Sequence, residues 1–436
     1  MTETSMDRRT TVLTRALAPV LAAGVTAAVV AGAIGASPAA VPAAVPATAA
    51  SGVVEPASVQ SAAYTTAVSA ARSTTPTVTV IGTGGTISAI ADSRSSFTSY
   101  RSGRIAIEDL VAQISPEIGE VADVETIQFG NSGSSGYTIA QFHELTAVVE
   151  EALETSDGVV VTSGTDTMEE FAYWLDLTVQ SRKPVVTTGA MRPWGALDEN
   201  GEQVQVFGTD GPANLYNAIT LAASQATYCY GTVLMLNEEF HAARDVTKTS
   251  SYRADTFQSR EFGVLGWIDG DNIKVGRAPA RVETCDNPER WATPFDLSTV
   301  EASDLPRTEV VWGYQEAGGE AITAFAEAGV EGIVTAGTGA GGISSAQRAA
   351  RAAAVADGVT FVSTTRTGSG SVYGGGEGVI AGDDLIPQKA RLLLLLSLAF
   401  APEDPAQVLE WVTSLGNPEF ETTAPVAGTA PGQGKA

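Results

Sequence analysis

The 436-residue chain carries a formal net charge of −25, with 44% hydrophobic and 17% charged residues. A chain of this length can bury the cores of two domains. The acidic balance argues against binding to nucleic acids or to anionic membrane surfaces, because both need clustered lysine and arginine. The composition instead fits a soluble protein that works outside the reducing cytosol.

The N-terminal segment has the pattern of an export signal. Arg8, Arg9 and Arg15 precede an uncharged stretch from Ala16 to about Ala36 that is rich in Ala, Gly and Thr. A retained membrane anchor is the alternative, since the stretch is about long enough to span a bilayer, but its small residues make it a poor anchor. We therefore expect a location in the medium or at the cell-envelope exterior, after removal of the signal peptide.

Cys229 and Cys285 are the two cysteines of the chain. In an exported protein two cysteines suggest one disulfide. Two buried thiols fit the sequence equally well, so both interpretations stay open.

Two strand patterns end in a glycine followed by polar residues. The β-branched run 77–81 leads into Gly82–Ile87, and the run 159–162 leads into Gly164, Thr165 and Asp166. In an open parallel sheet, ligands bind just beyond the carboxyl ends of the strands, so these corners predict an active site that includes Thr86. The first corner lacks the third glycine of a dinucleotide-binding loop. For the second, a capping box at a helix start is the plainer alternative, because Glu169 follows Asp166 at the required spacing.

Strand and helix patterns alternate along most of the chain. This alternation predicts an α/β fold, with a larger N-terminal domain built on a doubly wound, mostly parallel sheet and a smaller C-terminal α/β domain. The predicted organisation is an export signal and the start of an Ala/Pro-rich leader at 1–50, a flexible leader at 51–75, the N-terminal catalytic domain at 76–280, a linker at 281–305, the C-terminal domain at 306–423 and a disordered tail at 424–436.

Three further polar features lie between the predicted elements. The lid segment, residues 88–104, has the composition of a mobile loop and contains Tyr100. A polar turn at 130–136 contains Asn131 and Ser132, which suit a small carboxylate ligand as well as they suit a plain surface turn. Lys248 lies in a polar segment, where a solvated charge is the common outcome.

Seven motifs in chain order resemble those of the bacterial type II L-asparaginases, and the resemblance covers roughly residues 76–415. They are Gly84–Ile87, Gly164–Glu170, Gly189–Pro193, Asp210–Pro212, Asn214–Asn217, Arg244–Thr249 and Pro387–Arg391. The resemblance implies a two-domain α/β fold, a homotetramer, and hydrolysis of L-asparagine to L-aspartate and ammonia without a cofactor or metal.

The resemblance also assigns roles to residues of this chain. Thr86 matches the loop nucleophile and Tyr100 its partner on the lid, while Thr165, Asp166 and Lys248 match a second catalytic cluster. The residues expected to bind substrate are Gly85, Asn131, Ser132, Thr165, Asp166 and Ala190. A free threonine hydroxyl is a weak nucleophile, and the proton acceptor stays unassigned.

Several positions depart from the family pattern. Ser163 stands where a histidine is frequent, Ala340 stands where a partner subunit commonly lends an asparagine, and Glu377 is the possible counterpart of a glutamate lent in the same way. Residues 194–209 form an acidic insertion. A glutaminase-asparaginase of broad specificity and a secreted, non-catalytic amino-acid binding protein therefore remain as alternatives.

Overall fold

The computed structural model describes residues 75–416 and residue 418. The predicted export signal, nearly all of the predicted leader and the predicted tail at 424–436 lie outside these residues. Among the described helices, none is long and apolar enough to cross a membrane.

The described residues form three larger sheets, one two-stranded sheet and a set of covering helices. The strands are β1 (Thr77–Gly84), β2 (Ile90–Ala91), β3 (Tyr100–Arg101), β4 (Asp123–Ser132), β5 (Gly158–Thr162), β6 (Val185–Thr188), β7 (Gly195–Leu197), β8 (Gln203–Gln205), β9 (Thr232–Leu236), β10 (Glu239–Ala242), β11 (Thr247–Lys248), β12 (Phe257–Gln258), β13 (Gly266–Asp269), β14 (Asn272–Val275), β15 (Thr308–Trp312), β16 (Gly332–Gly337), β17 (Thr360–Thr365) and β18 (Val379–Ala381). The helices are α1 (Ile107–Ala112), α2 (Ile139–Thr155), α3 (Met168–Thr178), α4 (Gly211–Ser224), α5 (Pro288–Trp291), α6 (Glu320–Glu327), α7 (Ser345–Ala356), α8 (Pro387–Phe400) and α9 (Pro405–Ser414).

The N-terminal part is built on an eight-stranded sheet in the order β14-β13-β10-β9-β6-β5-β1-β4. Strands β4, β1, β5, β6 and β9 are mutually parallel, and β10, β13 and β14 continue the sheet antiparallel. The predicted α/β class with a mostly parallel larger sheet is confirmed. The order of the strands brings the carboxyl ends of β1 and β5 side by side.

Helices cover both faces of this sheet because alternate side chains of a strand point to opposite faces. Val159 and Val161 of β5 pack in the core beneath α2 and α3, whereas Val160 packs in the core beneath α1 and α4. Helix α2 is capped at its start by Thr138 and Gln141, which form a reciprocal capping box.

The smaller C-terminal domain contains an all-parallel sheet in the order β15-β16-β17-β18. Helix α8 lies between this sheet and the larger domain, and its leucine run 392–396 is fully buried. These leucines share one hydrophobic core with Phe171 of α3 and Val334 of β16, so the two domains are packed on each other through α8. The predicted boundaries at 280 and 306 remain predictions.

The predicted linker is packed against the larger domain over much of its length. Trp291 and Phe295 are buried, and a disulfide joins Cys285 to Cys229. The structure therefore selects the disulfide from the two interpretations that the sequence left open.

The lid segment and the insertion at 194–209 form a sheet of their own. It has four strands in the order β3-β2-β7-β8 and therefore combines two lid strands with two insertion strands. The lid segment, predicted as a loop, thus contains regular backbone pairing.

Candidate active site

The first predicted corner follows β1. Gly85 has φ +82°, and a Cβ built there would lie 2.3 Å from the backbone nitrogen of Gly164. Only glycine fits this position, because both the backbone conformation and the close approach exclude a side chain. The same contact joins the two corners, so Thr86 and Thr165 follow two glycines that touch.

Thr86 begins a short 3-10 turn directly after Gly85 and is 8% exposed. Its Oγ1 lies 3.0 Å from the hydroxyl of Tyr100, and either oxygen can donate. Tyr100 is the first residue of β3, so a strand of the small four-stranded sheet positions its ring. The structure therefore brings together the two residues that the sequence assigned to the nucleophile pair.

The second corner follows β5 and gathers the other three predicted catalytic residues. Lys248 Nζ donates to Thr165 Oγ1 at 2.8 Å and to Asp166 Oδ1 at 2.7 Å. The side chain of Lys248 is 13% exposed and that of Asp166 is 77% exposed. The lysine therefore reaches the corner from the protein side, while the carboxylate faces solvent.

Asn131 and Ser132 lie at the end of β4 instead of in a separate turn. The strand continues into the predicted polar turn, because Ser132 still pairs with Gly84 of β1. The carbonyl of Ser132 accepts the N–H of Gly85 at 3.0 Å, and both Asn131 and Ser132 are exposed. Their backbones thus support the first corner, and their side chains are free to contact a ligand.

Ala190 lies on the turn after β6 and is fully buried. Its neighbour Gly189 is packed so closely that a Cβ there would lie 2.4 Å from the carbonyl of Ser163. The carboxylate of Asp210 accepts the N–H groups of Met191 and Arg192, both at 2.9 Å, and so fixes the rest of the turn. Burial raises the pKa of Asp210, and these hydrogen bonds oppose that rise.

The capping-box alternative for Asp166 and Glu169 is wrong. Helix α3 begins at Met168 with Thr167 as N-cap, and no side chain caps it. Asp166 is bound to Lys248 instead. Glu169 is 5% exposed and accepts the backbone N–H of Lys248 with one oxygen and the Gln388 side-chain amide with the other.

Glu169 and Gln388 are site residues that sequence reasoning missed. Both lay inside quoted motifs, but the local pattern gave no sign that residues 219 positions apart would meet. Tyr137 was missed as well, and its hydroxyl donates to the carbonyl of Thr83 beneath the first corner. Ser134 accepts the N–H of Thr167 at 3.1 Å and so joins the polar turn to the second corner.

Lys389 anchors the segment that leads to Lys248. Its Nζ is buried and donates to the carbonyls of Ala243 at 2.7 Å and Arg244 at 2.9 Å, and also to that of Val246. Burial lowers the pKa of Lys389 to about 8, and the carboxylates of Glu169 and Asp245 oppose this shift. The lysine therefore fastens helix α8 to the approach of β11.

Not all predicted positions belong to this arrangement within one chain. Ala340 and Glu377 are exposed on loops that follow β16 and precede β18. A separate cavity of about 1370 Å³ is lined by Tyr173, Arg281 and Trp291 and by residues near the end of α9, and no predicted catalytic residue lines it. Among the described residues, no group of three or more His, Cys, Asp and Glu side chains is arranged to hold a metal ion.

The arrangement fits the hydrolysis of a small polar substrate. A buried threonine hydroxyl paired with a phenol lies beside a second hydroxyl that receives a lysine donor, and a solvent-facing carboxylate is available to a cationic ligand. These features define a class of site and leave the substrate to be identified by other means.

Comparison with known proteins identifies the family. The model for the N-terminal asparaginase domain matches residues 77–281, and the model for the glutaminase/asparaginase C-terminal domain matches residues 307–411. L-asparaginase 2 of Bacillus subtilis is 38% identical over 76% of this chain and 85% of its own length. L-asparaginase 2 of Escherichia coli is 37% identical over 76% of this chain and 91% of its own length.

A solved structure agrees with these matches. The probable cytoplasmic L-asparaginase of Campylobacter jejuni superposes with a TM-score of 0.70 at 35% identity, covering 78% of this chain and 99% of the other. The chain belongs to the type II L-asparaginase family and is an asparagine amidohydrolase.

Proposed function

We propose that this chain hydrolyses L-asparagine to L-aspartate and ammonia with Thr86 as the nucleophile. The observation that carries the proposal is the contact between Gly85 and Gly164, which sets the Thr86–Tyr100 pair beside the Thr165–Lys248 pair. One carbonyl group can then be approached by the Thr86 oxygen while the other cluster acts on the same substrate.

The reaction has two steps. The Thr86 oxygen forms a bond to the side-chain amide carbon of asparagine, the carbon–nitrogen bond breaks, and the nitrogen leaves as ammonia with the hydroxyl proton. Water then cleaves the resulting ester, releases aspartate and restores the Thr86 hydroxyl. Tyr100 is the group in hydrogen-bond contact with that hydroxyl, so we assign it to orient the oxygen and to relay its proton.

The second cluster serves the water and the substrate. The Lys248 ammonium orients and polarises the hydroxyl of Thr165, which in turn holds the attacking water. The exposed carboxylate of Asp166 binds the α-ammonium group of the substrate. Asn131 and Ser132 hold its α-carboxylate.

The oxygen of the scissile amide needs donors where negative charge develops. Backbone amides near Thr165, at the second corner, and near Ala190, on the turn after β6, supply them. Both residues are buried, so such hydrogen bonds would form away from water.

Glutamine is the competing substrate. The C-terminal domain belongs to a family described by both activities, so a glutaminase-asparaginase of broad specificity is the second candidate. A non-catalytic binding protein is disfavoured, because binding alone requires neither of two buried threonine hydroxyls.

The test is ammonia release from L-asparagine and from L-glutamine, measured separately for the wild type and for Thr86→Val and Thr86→Ser. Valine keeps the shape and removes the hydroxyl, so we expect a loss of at least about 10³-fold in kcat, whereas serine keeps the hydroxyl and retains much of the rate. Thr98→Val, at an exposed threonine of the lid segment, is the matched control. Turnover by Thr86→Val within a few-fold of wild type would refute the assignment of the nucleophile, and equal rates on both amides would favour the broad-specificity candidate.

We also propose that the chain is exported and acts as a homotetramer. The export-like N-terminal segment and the disulfide, a bond rare in reducing compartments, support the first part. Intact mass of the mature chain recovered outside the cytosol tests export, and light scattering of that chain tests assembly. An unprocessed cytosolic chain or a stable monomer would refute the respective part.

A further inference from the structure

The insertion at 194–209 is bonded to the lid segment through the backbone. Strand β7 pairs with β2 in parallel, with Ala196 opposite Ala91, and β3 pairs with the other edge of β2, with Tyr100 opposite Ala91. Strand β8 completes the hairpin by pairing with β7. Tyr100 is thus connected to the insertion across a single intervening strand.

Side chains of the insertion also support the ring of Tyr100. Ala91, Ala196 and Val206 form a small buried core, and Tyr100 and Val204 pack against it. Three of the supporting side chains, Ala196, Val204 and Val206, come from the insertion. The tyrosine that contacts Thr86 is therefore packed partly on residues outside the lid segment.

Two further contacts tie the outer part of the lid to the insertion. The N–H of Phe207 donates to the carbonyl of Arg94 at 2.8 Å, and Arg94 Nε donates to the carbonyl of Gln205 at 3.0 Å. The guanidinium of Arg94 also lies 4.6 Å from the centre of the Phe207 ring.

We propose that the hairpin β7–β8 with Val206 and Phe207 is a positioning element that holds the lid segment, and with it the Tyr100 hydroxyl, against Thr86. The proposal rests on the proposed function only for the role of Tyr100 in turnover. For the lid segment to move away from the hairpin, the hydrogen bonds between β2 and β7 must break and Ala91 must leave the core that it forms with Ala196 and Val206. The insertion therefore sets how often Tyr100 is in place for reaction.

The experiment compares four chains: wild type, Val204→Ser/Val206→Ser, Tyr100→Phe and Glu199→Ala. The double variant weakens the support of the ring, Tyr100→Phe keeps the ring and removes the hydroxyl, and Glu199→Ala changes an exposed residue at the hairpin tip. Amide hydrogen exchange of peptides from residues 88–104 and kcat/KM for asparagine are measured on all four. Exchange of helix α2 shows that each variant is folded.

We expect exchange of the lid segment about tenfold faster, and kcat/KM about tenfold lower, in the double variant. Tyr100→Phe should lose turnover and keep wild-type exchange, and Glu199→Ala should change neither. Unchanged lid exchange in a folded double variant would overturn the proposal, and so would faster exchange with unchanged turnover. A wild type without turnover would refute the proposed function alone, since exchange would still report whether the hairpin holds the lid.

Discussion

At the scale of single residues, the Lys248 side chain joins the hydroxyl of Thr165 to the carboxylate of Asp166 at the second corner. Lys248→Met keeps most of the aliphatic stem and removes the donor to both Thr165 and Asp166. We expect kcat to fall by about 10²–10⁴-fold with little loss of folded protein, because a positioned proton-transfer or polarising group is worth that much. Steady-state ammonia release measures the change.

Lys274→Met is a suitable control for that substitution, since it removes an exposed lysine from β14. Retention of near wild-type kcat in Lys248→Met would show that the Thr165 cluster is dispensable. The proposed division of labour between the two corners would then have to be abandoned.

His241 gives a pH prediction at the same scale. Burial lowers its pKa from 6.5 to about 4, and the nearby charges of Lys389 and Arg277 act in the same direction. The unfolded chain therefore binds more protons than the folded chain between about pH 4 and 6.5, so the free energy of unfolding falls as the pH falls through that window. The full shift corresponds to about 3 kcal/mol.

Urea unfolding of the wild type and of His241→Gln at pH 7 and pH 4.5 checks this expectation. Carboxylates contribute to acid destabilisation in both chains, so the informative quantity is the difference between them. The wild type should lose more stability than the variant on acidification. Parallel losses would contradict the assignment to His241.

At the scale of elements, the disulfide fixes the start of the predicted linker to the loop before β9. Cys229 and Cys285 are 56 residues apart in sequence. Closing a loop of that size restricts the unfolded chain by an amount worth about 4 kcal/mol in the chain-entropy model. We expect the double variant Cys229→Ser/Cys285→Ser to unfold at lower denaturant concentration by a corresponding margin.

Denaturant unfolding with and without a thiol reductant measures this effect. The reductant should lower the midpoint of the wild type and leave that of the double variant unchanged. An identical midpoint for the two oxidised chains would show that the bond adds nothing to stability.

Elements are also where prediction from sequence was strongest and where it stopped. The corners after β1 and β5 were found because a β-branched run that ends in glycine is a local signal. The pairing of β2 with β7 was not, because the two strands belong to a predicted loop and a predicted insertion, and cross-strand partners leave no mark on short segments. The start of the polar turn at 130 was predicted wrongly for the same reason, since pairing with Gly84 extends β4 to Ser132 through residues that favour turns.

The residues of the second corner show the same limit. Asp166 and Glu169 have the spacing of a capping box, and local sequence alone favours that interpretation. In the folded chain the carboxylate of Asp166 instead binds the Lys248 ammonium, and that of Glu169 binds the Gln388 amide. These tertiary hydrogen bonds to charged groups replace the local cap at the helix terminus. The roles of Thr86, Tyr100 and Lys248 came from family resemblance and not from spacing.

At the scale of the whole molecule, the smaller domain holds in place the segment of the larger domain that carries Lys248. In the first turn of α8, Gln388 donates to Glu169, and Lys389 donates to the carbonyls of Ala243, Arg244 and Val246. Arg244 is paired with Asp384 just before α8. Glu169 in turn accepts the backbone N–H of Lys248. One connected set of hydrogen bonds thus joins the two domains and fixes the backbone of Lys248.

This connection predicts different outcomes for two substitutions at one position. Glu169→Ala leaves the buried N–H of Lys248 without its acceptor, which costs about 1–3 kcal/mol of stability, and we expect kcat to fall with it. Glu169→Gln keeps one acceptor oxygen, and the Gln388 amide can turn to accept from the new NH₂ group, so most of the activity should return. Thermal unfolding and kcat for the pair measure this, and equal loss in both variants would show that the negative charge, not the contact, is required.

The contact between Gln388 and Glu169 also has a consequence for how the protein is made. A ribosome adds residues from the N-terminus, and α8 follows Lys248 by well over a hundred positions. A nascent chain that already contains both threonines, Glu169 and the lysine therefore still lacks Gln388, which binds Glu169, and Lys389, which binds the segment before Lys248. The site is therefore completed among the last steps of synthesis. We therefore expect a chain that ends before α8 to hydrolyse little asparagine.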